Sequence, residues 1–249
     1  MNYKLYKDFA KYYKFHTPDN HYMAGVNYVN YLIKKNNFKS ILDVGCGNGA
    51  TCEMIYRKNP NLYIEGFDIS FEMIEEAKQR NIKVNFFIDD MSKFENVKNT
   101  YDVILLMSWV INYSLNKDFL LKTLNNIFKS LNKNGMCIIE TPHIPNILNY
   151  TFKDKEYNFV DKYHASKISD IYFFFGFEQL DDLKMKAKYN FIYQSKNIIL
   201  YEEHILNFCN AFYLQNLLTK IGFSKVYVMD SYREHNLNGS YRAIIKAIK

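Results

Sequence analysis

The sequence predicts a doubly wound α/β fold, and three observations lead to it. Apolar runs of strand length alternate with helix-period stretches from about residue 38 to 141. The first of those runs passes directly into a glycine-rich turn. After Pro142 the pattern changes to an alternation of period two, which belongs to antiparallel strands with one wet face. A chain of 249 residues suits one large domain carrying an insertion better than two independent units.

In chain order, a tyrosine-rich helical section within about residues 3–35 comes first. Strands are predicted at Ser40–Val44, Leu62–Phe67, Val84–Ile88, Val103–Met107 and Met136–Glu140. Helices are predicted between them at Ala50–Arg57, Phe71–Gln79 and Lys117–Leu131. The last of these places Leu120, Thr123, Leu124, Ile127 and Leu131 on one stripe. Ile171–Phe175 is another apolar run of strand length. Residues 183–191 alternate lysine with Met185, Ala187 and Tyr189, and Gln194–Asn197 reads as a hairpin turn into Ile198–Phe208. On that last segment Glu202 and His204 share a face with Ile198 and Leu200, so its buried side is ambiguous. Ala211–Ile221 is helical and stops at Gly222, and Lys225–Met229 and Ala243–Ile248 close the chain as strands. The expected organisation is a helical lid over 1–37, a nucleotide-binding core over 38–149 and 209–249, and an antiparallel β insertion over 150–208.

Composition narrows the function. Forty-eight per cent hydrophobic and 23% charged residues are globular values, and 9 Gly with 4 Pro exclude fibrous chains. No apolar run approaches the roughly 18 residues of a membrane-spanning helix. The N-terminus has charges where a signal peptide needs an apolar centre, so a cytoplasmic location is expected. The cysteines at 46, 52, 137 and 209 form no CxxC pair, so neither a structural metal nor a disulfide framework is expected. The net charge of +6 comes from scattered lysines, which reads as a solvated surface; a nucleic-acid partner is not expected.

The residues that carry chemistry are Ile41-Leu42-Asp43-Val44-Gly45-Cys46-Gly47-Asn48-Gly49. A buried strand enters a glycine turn that opens a helix, so backbone can approach a ligand closely beside free helix N–H groups. Three features lead away from a dinucleotide. The spacing is G-x-G-x-G, not G-x-G-x-x-G. Asp43, two residues before Gly45, would repel a pyrophosphate but suits an ammonium group. Asp68, ending the second strand, can accept hydrogen bonds from both hydroxyls of a ribose. A nucleoside with an amino-acid tail and no phosphate meets all three conditions, which points to S-adenosylmethionine.

With these residues the chain resembles the class I S-adenosylmethionine-dependent methyltransferases. The likeness continues in Asp89-Asp90-Met91 after the third strand, in Tyr101–Met107 as the fourth, in Leu131-Asn132-Lys133-Asn134-Gly135 before the fifth, and in Ile221-Gly222-Phe223 before the closing hairpin. Lys133 and Asn134 depart from the family's Pro-Gly at their positions. The resemblance implies a Rossmann-like seven-stranded sheet with S-adenosyl-L-methionine as cofactor. It implies cofactor contacts from Asp43, Gly45, Cys46, Gly47, Gly49, Asp68, Ile69, Asp90, Met91 and Met107. Tyr13 and Tyr22, with Tyr12, are candidates from the lid.

Within the family the chain is similar to the N,N-dimethyltransferases of nucleotide-linked amino sugars. Those enzymes combine a helical lid, a stretch after strand four matched here by Met107–Tyr113, and strands inserted before the last helix. Tyr113 stands where several relatives have His, and Gly25 where they often have Glu. The acceptor implied is a polar small molecule, a sugar or nucleotide-linked amino sugar, methylated on nitrogen or oxygen. A hydroxyl acceptor gains more from a positioned base than an amine does. His143 and Tyr113, both at strand carboxyl ends, are the candidates for catalysis. His204 reads as a strand-face residue, and His16 and His21 as lid decoration. A methyltransferase for RNA and a non-catalytic cofactor-binding regulator are the alternatives. The absence of an Asp/Asn/Ser-Pro-Pro motif after strand four speaks against DNA amino-methylation. A homodimer is a further expected partner state.

Overall fold

The parallel core is organised around a strand that is buried on both faces. The computed structural model describes residues 3–16, 22–143, 161–164, 171–181, 184–207, 210–232 and 242–249. Two 3-10 turns (Lys4–Tyr6 and Ala10–Tyr12) lead into α1 (Tyr13–His16) and α2 (Met23–Asn36). There follow β1 (Ser40–Val44), α3 (Ala50–Lys58), β2 (Tyr63–Asp68), α4 (Phe71–Lys78), β3 (Asn85–Ile88) and β4 (Tyr101–Leu106). A 3-10 turn at Val110–Tyr113 precedes α5 (Lys117–Ser130) and β5 (Leu131–Pro142). The second part holds β6 (Asp161–His164), β7 (Ile171–Gln179), β8 (Lys184–Tyr193) and β9 (Ile198–Asn207). The chain returns through α6 (Ala211–Ile221), β10 (Lys225–Asp230) and β11 (Arg242–Ile248).

Seven strands form one sheet in the order β10-β11-β5-β4-β1-β2-β3. β1 pairs in parallel with β2 and β4, and only β11 runs against its neighbours β5 and β10. Ile41, Leu42 and Val44 are all fully buried, because helices cover both faces of a parallel sheet and leave its strands no wet side. On one face α2, α3 and α4 contribute Val26, Val29, Leu32, Ile55 and Ile74 to the core. On the other, α5 and α6 contribute Leu120, Leu124, Ile127, Leu214 and Leu218. The α5 stripe is buried as its spacing predicts, and the helix starts where the Asn116 side chain accepts the Phe119 N–H at 2.9 Å. Gly222, at φ +121, ends α6.

The predicted strands and helices form, with two differences. β5 begins at Leu131, five residues before its apolar run, because Leu131 pairs with Tyr101 across an irregularity in register that Asn134 accommodates at φ +64. β6 carries no strand signature of its own; pairing with β7 makes it a strand.

The second sheet is antiparallel, in the order β6-β7-β8-β9. Its period-two pattern separates two environments. Met185, Ala187, Tyr189 and Phe191 are buried, whereas Lys186 and Lys188 pair with Glu178 and Glu203 on the outer face. The inner face packs on Leu5, Phe9, Tyr12, Tyr13 and Trp109, so the N-terminal section and the insertion share one apolar cluster. Leu183, Phe208, His21 and residues 144–160 lie outside the described residues.

Candidate functional site

A cavity opens at the carboxyl ends of β1, β2 and β4, where open α/β sheets gather ligands. Its floor is the glycine turn after β1. Gly45, Gly47 and Gly49 hold φ values of +69, +53 and +74, a region that L side chains rarely adopt. A Cβ on Gly47 would meet nothing within 4 Å, so this glycine leaves ligand space open. A Cβ on Gly45 would lie 2.6 Å from both γ carbons of Val110.

Asp68 closes one side. Its carboxylate accepts the Gly47 N–H at 3.0 Å and the Ser70 N–H at 2.9 Å, which fixes both oxygens at the mouth of the turn. Burial pushes its pKa up, against the lowering effect of those backbone donors. Asp43 lies deeper, 3% exposed, with one oxygen accepting the Cys52 thiol at 3.3 Å. Burial pushes its pKa up to about 7, Cys52 lowers it, and the charge of Asp68 raises it further. Asp43, buried, and Asp68, partly exposed at the cavity wall, set two carboxyl groups where a cation and hydroxyl donors would be met. Burial raises the pKa of the Cys46 and Cys52 thiols, which favours their protonated form.

Asp89 and Asp90 divide the work after β3. The Asp89 carboxylate accepts the backbone N–H groups of Asp90, Glu95 and Asn96 and so braces the loop. Asp90 holds Ser92 through a single oxygen, Oδ1. Both line the cavity, as do Met91, Ile69, Met107 and Cys46. Ser108 and Trp109 follow β4 at φ +51 and +63, two consecutive left-handed non-glycine residues. Such backbone concentrates at ligand sites, and here it carries the chain from β4 into the cavity wall.

The roof is aromatic. Tyr13 and Tyr22 reach the cavity from the N-terminal section, joined by Tyr3, Tyr6 and Lys7, and Tyr113 reaches it from the turn after β4. Tyr12 instead packs against Phe191 and Tyr193 of the insertion. The Tyr113 hydroxyl lies 2.7 Å from that of Tyr6 and 2.7 Å from His204 Nδ1. His204 Nε2 lies 3.0 Å from a Glu202 oxygen. Burial raises the pKa of Tyr6 and Tyr113 well above the ordinary phenol value and lowers that of His204, which Glu202 partly offsets.

Two of the expected site residues stand elsewhere. Gly49 does not line the cavity; it opens α3, where a Cβ would strike Phe86 at 2.8 Å, so its freedom serves helix–sheet packing. His143 follows β5 outside the cavity wall, half-buried, its pKa lowered by burial against the opposing charge of Asp230. Tyr3, Tyr6, Lys7, Ser108, Tyr189 and Glu202 are not among the site residues that the sequence predicts. A signal was present for Glu202 and His204: two polar residues on the apolar face of a strand. Among the described residues no cluster of three or more His, Cys, Asp and Glu side chains is placed to hold a metal ion. No helix among them is long and apolar enough to cross a membrane.

Residues 35–197 match the family model described as a methyltransferase domain. A putative methyltransferase, 235L, of Invertebrate iridescent virus 6 is 29% identical over 141 residues, covering 55% of this chain and 51% of that protein. The chain thus spans about half the length of this curated relative, and 30% of a malonyl-[acyl-carrier protein] O-methyltransferase of Ilyobacter polytropus, 35% identical over 79 residues and 29% of this chain. Among solved structures, an S-adenosylmethionine-dependent methyltransferase from Clostridium acetobutylicum superposes with TM-score 0.77 at 18% identity, over 98% of each chain. CalS10, an amino pentose methyltransferase from Micromonospora echinaspora solved with S-adenosylmethionine bound, superposes with TM-score 0.72 at 16% identity, over 100% of this chain and 98% of that one.

Proposed function

The chain belongs to the methyltransferase-domain family, and on that premise we propose that it transfers the methyl group of S-adenosylmethionine to a nitrogen or oxygen of a polar small molecule, a sugar or nucleotide-linked amino sugar. The observation that carries the cofactor half is the pairing of Asp68, pinned by the Gly47 and Ser70 N–H groups, with buried Asp43 across an open glycine turn. Asp68 would take the ribose hydroxyls, Asp43 the ammonium side, and Asp90 with Met91 the adenine. When bound, the cofactor supplies an electrophilic methyl on a sulfonium, with a good leaving group already in place.

The protein's own contribution is to align the acceptor, exclude water and keep a lone pair free. Tyr3, Tyr6, Tyr13, Tyr22 and Tyr113 enclose the acceptor side with ring faces and hydroxyls, a surface suited to a polar ring. We assign residues 1–37 as a lid and 150–208 as the unit that shapes the acceptor pocket, because the described parts of both share one apolar cluster above the cavity. The amino pentose methyltransferase among the structural neighbours supports a sugar as acceptor.

The test is incubation with labelled S-adenosylmethionine and a panel of nucleotide-linked amino sugars, sugar alcohols, small amines and carboxylates. Label transfer to an amino sugar is expected. Transfer only to a carboxylate, or to none of the panel, overturns the acceptor class.

A further inference from the structure

Two side chains, Tyr6 and Tyr113, connect the cavity to the fully buried imidazole of His204, and Glu202 stands behind it. Tyr6 lines the cavity, and its hydroxyl lies 2.7 Å from Tyr113 Oη. Tyr113 Oη lies 2.7 Å from His204 Nδ1, and His204 Nε2 lies 3.0 Å from Glu202 Oε2. The far end is anchored: Glu202 accepts the Lys4 N–H at 2.7 Å and the Leu5 N–H at 2.9 Å. Its carboxylate is therefore held as an acceptor, and the imidazole facing it must be the donor at Nε2. In the neutral imidazole that leaves Nδ1 bare, able only to accept, and fixes the direction of the bonds linking Tyr6, Tyr113 and His204; the Tyr189 hydroxyl also hydrogen-bonds Tyr6 and Tyr113. Tyr113 donates to His204, and Tyr6 donates to Tyr113.

We propose that Tyr6, Tyr113, His204 and Glu202 form a proton relay that takes the acceptor's proton out of the cavity, with His204 as its terminal base. This rests on the methyl-transfer reading above. In the step, the acceptor's N–H or O–H bond breaks and its electron pair stays on the acceptor as the nucleophilic lone pair. The proton bonds to Tyr6 Oη, the Tyr6 proton passes to Tyr113 Oη, and the Tyr113 proton passes to His204 Nδ1. Neutral His204 becomes an imidazolium beside the Glu202 carboxylate, and the proton leaves to solvent after turnover. Tyr6 and Tyr113 touch the cavity; His204 and Glu202 act through them as positioning residues.

The environment fits a neutral resting imidazole. Tyr3 stacks on His204 at 3.7 Å between ring centroids, with Tyr6 at 5.3 Å, Tyr113 at 5.9 Å and Tyr189 of β8 at 4.5 Å. Glu202 is the charged partner among these groups, and Asp68 bears on the cavity end through Tyr6. Burial holds both phenols protonated and lowers the imidazole pKa, so a concerted transfer avoids a free phenolate.

Two measurements test the relay. Nitrogen NMR of histidine-labelled protein, with His204 assigned by comparison with His204→Asn, reads the tautomer without any acceptor. The Nε2–H form, neutral at pH 7, is expected; an Nδ1–H form or an imidazolium overturns the relay. The second uses the nucleotide-linked amino sugar of the panel that turns over fastest. Asn can accept from Tyr113 but cannot be protonated, so His204→Asn is expected to lower kcat by about a hundredfold or more, with KM and cofactor affinity kept. The acid limb of the pH profile is expected to vanish with it. Glu202→Gln, whose amide keeps an acceptor for Nε2–H but loses the negative charge beside the imidazolium, is expected to lower kcat similarly and to shift the wild-type nitrogen signals. A kcat within threefold of wild type in both variants, or an unchanged acid limb in His204→Asn, overturns the proposal. Turnover of no acceptor on the panel overturns the acceptor class of the reading above instead, and the tautomer still decides the wiring.

Discussion

The Asp68 carboxylate accepts the backbone N–H of Gly47, 21 residues earlier in the chain, at 3.0 Å. This bond ties the end of β2 to the turn after β1, and it sets the carboxylate at the cavity wall before any ligand arrives.

On the proposed reading, Asp68→Ala would remove an acceptor for two ligand hydroxyls. Hydrogen bonds to a charged acceptor are worth roughly 1.5–3 kcal/mol each, so S-adenosylhomocysteine affinity is expected to fall about a hundredfold or more. Calorimetry gives the affinity and circular dichroism the fold. Unchanged affinity in a folded variant refutes the role.

On the same reading, Asp43 is expected to make binding pH-dependent. In the ligand-free protein its proton is held until about pH 7, and a cationic ligand needs the carboxylate. Affinity is therefore expected to weaken by up to roughly tenfold per unit as pH falls below that value, and to level off above it. The same shift bears on folding. A pKa raised above the unfolded value gives stability that is present in acid and lost as pH rises through about 7. The melting temperature of the ligand-free protein should carry that component, and Asp43→Asn should remove both effects.

Gly45 and Gly47 separate stability from affinity. Gly45→Ala combines a φ of +69 with a 2.6 Å approach to Val110, so a loss of about 1–3 kcal/mol is expected in denaturant unfolding. Gly47→Ala meets open space, so its cost is confined to the backbone while its methyl intrudes where ligand binds. The expected order is a larger stability loss for Gly45→Ala and a larger affinity loss for Gly47→Ala. The reverse order would misplace the ligand.

Tyr101→Phe probes the opposite end of the sheet. The buried Tyr101 hydroxyl donates to Glu65, which also takes Asn85 and Asn99. These donors outweigh burial and hold the Glu65 carboxyl below its usual range. Removing the strongest should cost about 1–3 kcal/mol and leave cofactor affinity unchanged, since β4 enters the cavity at its other end. Thermal unfolding and calorimetry together check both halves.

The positions that were legible in the sequence share a physical character. The strand of Ile41–Val44, the α5 stripe and the lysine alternation of residues 184–188 announce themselves by period, because one face of each meets water or none does. The glycine turn is legible because a backbone at positive φ leaves few residue choices, and Asp68 because an acid ends the neighbouring strand. His143 illustrates the limit: its place after β5 was readable, but the side on which the chain leaves that strand was not. Gly49 shows the same ambiguity, since a glycine that spares a ligand and one that spares Phe86 look alike in a string of letters.

Local order, then, was written in neighbouring residues: period, caps and a turn that fits a sulfur-bearing nucleoside. What only the folded chain decided is the company of distant side chains. Tyr6, Tyr113 and His204 are separated by 107 and 91 residues, yet their polar atoms meet within 2.7 Å. No periodicity encodes such a meeting, because it depends on how an antiparallel insertion and an aromatic N-terminal section pack together over the end of a parallel sheet.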